Sequence, residues 1–234
     1  MRKIFLALTI ALITTCLLPT IAMAEIEVAP ILVDVIGSKM NTQDIRVTNI
    51  GDEIAYVKIT PKLITNPGSA EEKLLVIDDP SKLGLLVSPR IMKISPHKFK
   101  LVRLVFTQKA GLTDRLYRID IQPTVGDLLL PKKSNEIGIK ILVGYGVVVI
   151  QRPTKLDVAI SIERQDKTLI VKNNGNTNVI LSNGKQCDAK GNKCQELPPK
   201  RIYAGQIWEQ ELPYNTPVTY RESYLDNFKV LESK

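Results

Sequence analysis

The sequence predicts an all-β protein built from two sandwiches, and three observations carry that prediction. From Glu25 to Gln151 the chain is a succession of short runs rich in Ile, Val and Leu, separated by turn signals and free of any sustained helical period. After Gln151-Arg152-Pro153 the same pattern begins again on a smaller scale. The roughly 210 residues that follow an N-terminal leader are long for one sandwich and comfortable for two, given typical domains of about 100 to 150 residues.

The leader comes first. Arg2 and Lys3 precede an apolar stretch from Ile4 through Leu18, then Pro19 and the small-residue pattern Ala22-Met23-Ala24. This is the layout of a secretory signal peptide over residues 1–24, with cleavage expected after Ala24. Thr14 and Thr15 before Cys16 are not the small pair of a lipoprotein signal. No later stretch holds eighteen apolar residues without charges, so the mature chain is expected not to be embedded in a membrane.

The first domain, residues 25–153, contains the runs IEVAPILVDVI, DIRVTNI, AYVKITPKLI, KLLVI, GLLVSPRIMKI, KLVRLVF and YRIDIQPTV. Turns fall at Ile50-Gly51-Asp52, Asn66-Pro67-Gly68 and Ala110-Gly111, a spacing that points to an antiparallel sandwich. The last run, IGIKILVGYGVVV from Ile137 to Val149, alternates strictly in its first half. Ile137, Ile139, Ile141 and Val143 fall on one side, and Gly138, Lys140, Leu142 and Gly144 on the other. One face of this strand is built for burial, either in the protein's own core or against another chain at a sheet edge. Arg152-Pro153 forms a hinge in this reading, because proline ends a ladder and restricts its predecessor. The second domain, residues 154–234, repeats the theme in LDVAISIER, TLIVKNN, NVILSNG, IWEQELP around Trp208, and TYRESYL.

Cys187 and Cys194 bracket a short polar loop, CDAKGNKC, and in an oxidising compartment they are expected to form a disulfide. Zinc would need two more ligands, and the single histidine, His97, is remote in sequence. The formal charge of +8 includes Arg2 and Lys3 of the leader, which leaves +6 on the mature chain. With Lys and Arg dispersed and the chain exported, nucleic acid is not the expected partner; acidic exported proteins or membrane headgroups fit better.

No catalytic constellation emerges. His97 sits in the turn Ser95-Pro96-His97-Lys98, and there is no phosphate loop, HExxH helix or CxxC pair. Glu71-Glu72 and Asp78-Asp79 read as exposed loop carboxylates rather than metal ligands or general acids. The chain is expected to be non-enzymatic and to use no metal or cofactor.

Four segments then matter for their order: VTNIGDEIAYVKIT, LLVSPRIMKISPHKFKLVRLVF, the alternating strand ending in Gln151-Arg152-Pro153, and YAGQIWEQELP. Together they resemble the periplasmic pilus-assembly chaperones, the PapD-like family of two immunoglobulin-like domains. The resemblance implies a periplasmic chaperone that caps incomplete pilus subunits by donor-strand complementation and delivers them to an outer-membrane usher. It makes Ile137, Ile139, Ile141 and Val143 the subunit-binding donor residues. The best-known members hold the subunit's terminal carboxylate with an arginine of the first strand and a lysine late in the donor strand. Here Leu32 and Val148 occupy those positions, which is similar to the archaic or alternate branch, with the anchor moved to the preceding strand. Arg118 is the candidate anchor, its other reading being a solvated strand arginine. Arg90 and Lys93 come next, and Arg103 reads as a sheet or domain-interface residue. Ser88-Pro89 holds a turn, cis or trans. The competing reading is an exported structural or adhesive pilus component, for which EIEVAPILVDV could serve as an N-terminal donor segment. A β-sandwich hydrolase ranks third, for want of a nucleophile and base.

Overall fold

Alternate residues of nearly every run turn inward, and this two-residue period builds two separate cores. The computed structural model describes residues 26–37, 42–124 and 142–233. The leader, residues 1–24, lies outside them.

The first core lies between two sheets. One has the order β1 (Ile26–Ala29), β3 (Thr42–Asn49), β8 (Phe99–Phe106) and β6 (Leu85–Ser88). The other has the order β2 (Leu32–Ile36), β10 (Tyr145–Arg152), β9 (Arg115–Thr124), β4 (Ala55–Thr65) and β5 (Lys73–Val76), with β7 (Ile91–Ile94) also paired to β4. Val102 and Leu104 of β8, Tyr117, Ile119 and Ile121 of β9, and Val147 and Val149 of β10 face each other across the gap, all fully buried. Each such side chain contributes roughly 1.5–3 kcal/mol on burial. A single helical turn, α1 (Pro80–Leu83), is capped by Asp79, whose side chain accepts the Ser81 backbone N–H.

Two of the predicted runs prove to be two strands each. IEVAPILVDVI breaks at Ala29-Pro30 and GLLVSPRIMKI at Ser88-Pro89, both cis, and in each case the chain passes from one sheet to the other. At Pro30 and Pro89, neither of which has an N–H to give a ladder, pairing with the first sheet stops and resumes in the second. The switch lays β2 alongside β10 in parallel, with Leu32 opposite Val148, a departure from the wholly antiparallel sandwich expected. The predicted strand over Ile137–Val149 is described only from its second half. β10 starts at Tyr145, residues 142–144 have no regular structure, and Val143 is 44% exposed. Ile137, Ile139, Ile141 and Lys140 lie outside the described residues.

The second core is smaller. One sheet orders β11 (Ile160–Gln165), β12 (Thr168–Asn173) and β16 (Ile207–Glu211). The other orders β14 (Cys194–Leu197), β13 (Val179–Cys187), β17 (Val218–Tyr224) and β18 (Asn227–Glu232), with β15 (Lys200–Ile202) also on β13. Leu169, Val171, Val179, Leu181, Val218 and Tyr220 fill it, and Trp208 meets Tyr220 edge to face at 6.1 Å. Gly184 leaves room for Tyr220, since a Cβ there would stand 2.4 Å from the ring.

Cys187 and Cys194 are opposite each other in the β13–β14 hairpin and form the disulfide. Closing so short a loop stabilises by about 2 kcal/mol in the chain-entropy account. Reduction is expected to lower the unfolding temperature, which differential scanning calorimetry with and without reductant checks.

Arg152, expected at a hinge, is instead clamped between the domains and only 2% exposed. Its Nε and Nη2 donate to the two carboxylate oxygens of Asp34 at 2.6 and 2.8 Å, and its Nη1 donates to the Thr177 hydroxyl and the Asn178 carbonyl. Asp114 accepts from the Thr177 hydroxyl at 2.8 Å and the Asn178 backbone N–H at 2.6 Å. A second tether joins the Gln206 side chain to the Gly68 carbonyl at 2.7 Å.

Candidate functional site

The outward face of the second sheet is organised in rows by strand register. Leu32, Val148, Arg118, Lys62 and Val76 are successive partners across β2, β10, β9, β4 and β5, so their side chains share one face. The residues inward from them in each strand, such as Val33, Val147, Val149, Ile119 and Tyr117, belong to the core. The sheet therefore presents an apolar edge, Leu32 beside Val148, next to a cationic pair, Arg118 beside Lys62.

Asp120 joins the pair. It lies two residues from Arg118 on the same strand face, and its Oδ1 accepts from Arg118 Nε at 2.7 Å. Its Oδ2 meets Lys62 Nζ at 2.7 Å. Burial raises the Asp120 pKa, but the hydrogen bonds and charges of Lys62 and Arg118 outweigh it and hold the carboxyl below its usual range. Two cations thus share one ionised carboxylate. The Arg118 side chain is 47% exposed, and its terminal amines, Nη1 and Nη2, have no acceptor among the described residues. A guanidinium held by Nε with that edge open can receive a second carboxylate end-on through two parallel hydrogen bonds.

The remaining sequence candidates fall elsewhere. Lys93, on β7, lies with its ammonium 5.7 Å from the centre of the Tyr56 ring. Arg90 precedes β7, and its carbonyl accepts the Ile59 N–H at 2.8 Å. Arg103 is a cross-strand partner of Asp44, bound bidentately at 2.9 Å on an exposed face of the first sheet, so of its two readings the sheet one holds. His97 pairs with Asp52 at 3.0 Å, both exposed. Glu72 accepts the Gly68 N–H and Asp79 caps α1, which gives these loop carboxylates local structural roles. Lys62 and Asp120 escaped the sequence reading. Asp120 was legible in principle, as an opposite charge two residues from Arg118 on a strand. Lys62 was not, because only the β4–β9 register brings it there.

No protein-family model matches the chain. A fimbrial protein of the CFA/I system of Escherichia coli, named as a fimbrial subunit, is 26% identical over 231 residues, covering 96% of this chain and 91% of that protein. The crystal structure of the class 5 fimbriae chaperone CfaA superposes with a TM-score of 0.65 at 21% identity, over 89% of this chain and 99% of that one. The chain has the fold of the fimbrial chaperones. A chain of the CsuC–CsuE chaperone–tip subunit pre-assembly complex, from the archaic chaperone-usher Csu pili of Acinetobacter baumannii, matches with a TM-score of 0.60 at 15% identity over 90% and 98%. Both likenesses span the two immunoglobulin-like domains of this fimbrial-chaperone fold. On it, the two positions where counting expects a basic pair, Leu32 and Val148, are direct partners and both apolar. Arg118 and Lys62 continue the same row one and two strands further in.

Proposed function

We propose that the protein is a periplasmic, non-enzymatic chaperone for pilus subunits that completes an incomplete subunit sandwich by lending it a strand and passes the subunit to an outer-membrane usher. The lent strand is the segment leading into β10, with Ile137, Ile139, Ile141 and Val143 as the residues that enter the subunit groove. A subunit lacking a strand exposes an apolar groove and unpaired backbone groups, and both are costly until covered. The domain boundary falls at Pro153, after the Arg152 clamp. Arg118 holds the subunit's terminal carboxylate. The observation that carries the proposal is the exposed Arg118 side chain, steadied by Asp120 and Lys62 in the row that leads to β2, the edge strand of this sheet among the described residues.

The experiment is identification by mass spectrometry of what copurifies with the protein from the periplasm. A stoichiometric small β-rich exported protein is the expected result, and consistent absence of any such partner overturns the proposal. An Escherichia coli relative named as a fimbrial subunit, at only 26% identity, gives weaker support to the alternative of a structural pilus component. That alternative requires the chain itself to be found in the assembled fibre, which the same spectrometry on sheared fibres decides.

Arg118→Ala is expected to weaken subunit capture by about ten- to a hundredfold, the worth of charge-assisted hydrogen bonds of roughly 1.5–3 kcal/mol. Lys140→Ala is expected to cost little, because Lys140 belongs to the opposite ladder of the lent strand. Titration of the captured subunit onto each variant measures both, and equal, small losses would move the anchor to Arg90 or Lys93.

A further inference from the structure

We infer that Gly146 is a positioning residue for Arg118: the absent side chain at this point of β10 is the berth in which the guanidinium lies. The inference rests on the carboxylate-holding role proposed for Arg118 and adds the element that gives the arginine its direction.

Gly146 stands opposite Asp120 in the β9–β10 ladder and diagonal to Arg118. A Cβ on Gly146 would lie 2.7 Å from Arg118 Nε and 2.8 Å from both Cζ and Nη2. Real methyl carbons do not approach so closely, so any other residue evicts the guanidinium from its present place. Space is what requires glycine here, because Gly146 is not among the glycines with positive φ. Within a strand, glycine costs roughly 0.5–1 kcal/mol relative to alanine, so the backbone gains nothing from it.

Three contacts then fix the arginine. The bare backbone at Gly146 lets the guanidinium lie against the sheet. Asp120 Oδ1 takes the Nε hydrogen, while Lys62 occupies Oδ2 and keeps Asp120 from chelating the arginine through both oxygens. Nη1 and Nη2, without an acceptor among the described residues, are left as a paired donor edge. With a side chain at 146, Arg118 keeps its charge but loses this direction, and end-on bidentate geometry depends on direction more than on charge.

The test uses the mature protein labelled with nitrogen-15, acetate as the carboxylate probe and acetamide as its uncharged control, read at the Arg118 Nε–H resonance. In the parent protein acetate shifts this resonance saturably and acetamide does not. In Gly146→Ala the apparent dissociation constant for acetate rises at least about threefold, the expected loss of one of two parallel hydrogen bonds. No acetate response in the parent overturns the carboxylate-holding role of Arg118 itself. Equal responses in parent and Gly146→Ala overturn the role of Gly146 alone. Melting curves of Gly146→Ala, Arg118→Ala and the double variant guard against a merely structural effect. If Gly146 acts through Arg118, removing the arginine relieves the clash, and alanine at 146 in that background leaves melting at or above that of Arg118→Ala. A Gly146→Ala penalty that persists without the arginine overturns the inference.

Discussion

Ile139→Asp and Ile141→Asp are expected to abolish subunit capture while the free protein keeps its melting temperature to within about 2 °C, the range of surface substitutions. Four aliphatic side chains entering a groove contribute roughly 6–12 kcal/mol gross at about 1.5–3 each, and association entropy offsets much of that. A carboxylate in the same groove must be buried without a partner, at several kcal/mol, enough to lower affinity by about a thousandfold or more. The free protein is the discriminating half of the experiment. If these residues lie in the protein's own core, the same charge lowers its stability by more than about 3 kcal/mol. Melting and capture measured on one set of variants separate the two roles, and marked unfolding of either isolated variant removes the donor-strand assignment.

The parity of the chain supports the division of labour along that segment. Odd positions from Ile137 to Val143 continue as Tyr145, Val147 and Val149, and the last two are fully buried in the first core. One ladder thus serves the protein's own sandwich at its later end and, in the proposed function, a partner's at its earlier end.

What was legible in the sequence is what depends on near neighbours. The period of two marked KLVRLVF and YRIDIQPTV as strands without any knowledge of partners, and Val102, Leu104, Ile119 and Ile121 of those runs lie in the core. The disulfide was legible because its two cysteines bracket a single turn. The sheet switches at Pro30 and Pro89 were not, since a proline marks a break in pairing without saying which sheet receives the chain next. Register was equally hidden, and with it the meeting of Lys62 with Arg118 and the berth at Gly146. Arg152 invited a hinge reading because the following proline was visible. Its partners Asp34, Thr177 and Asn178, in other parts of the chain, were not.

Those partners make Arg152→Ala the substitution with the largest expected effect on stability. The guanidinium is nearly inaccessible and binds groups of both domains, so its removal leaves the Asp34 carboxylate and the Asn178 carbonyl without their donor. Removing one partner of a buried ion pair costs about 3–5 kcal/mol. Water reaches Asp34 in part, with 21% of its side chain exposed, so the lower end, about 3 kcal/mol, is expected. Neither Arg152 nor its partners Asp34, Thr177 and Asn178 belong to either hydrophobic core, so both cores are expected to keep their packing. The loss therefore falls on the coupling between domains: one cooperative calorimetric transition should divide into two, and X-ray scattering should report a wider range of domain orientations. Arg152→Lys restores little, because an ammonium cannot hold Asp34 through two parallel bonds while also reaching Thr177 and Asn178. If the proposed function holds and depends on the relation between domains, subunit capture is expected to fall in both variants although Arg118 is untouched, which the same titration measures. A single transition at the parent temperature in Arg152→Ala would show that the Gly68–Gln206 tether and the Asp114 contacts hold the domains without it.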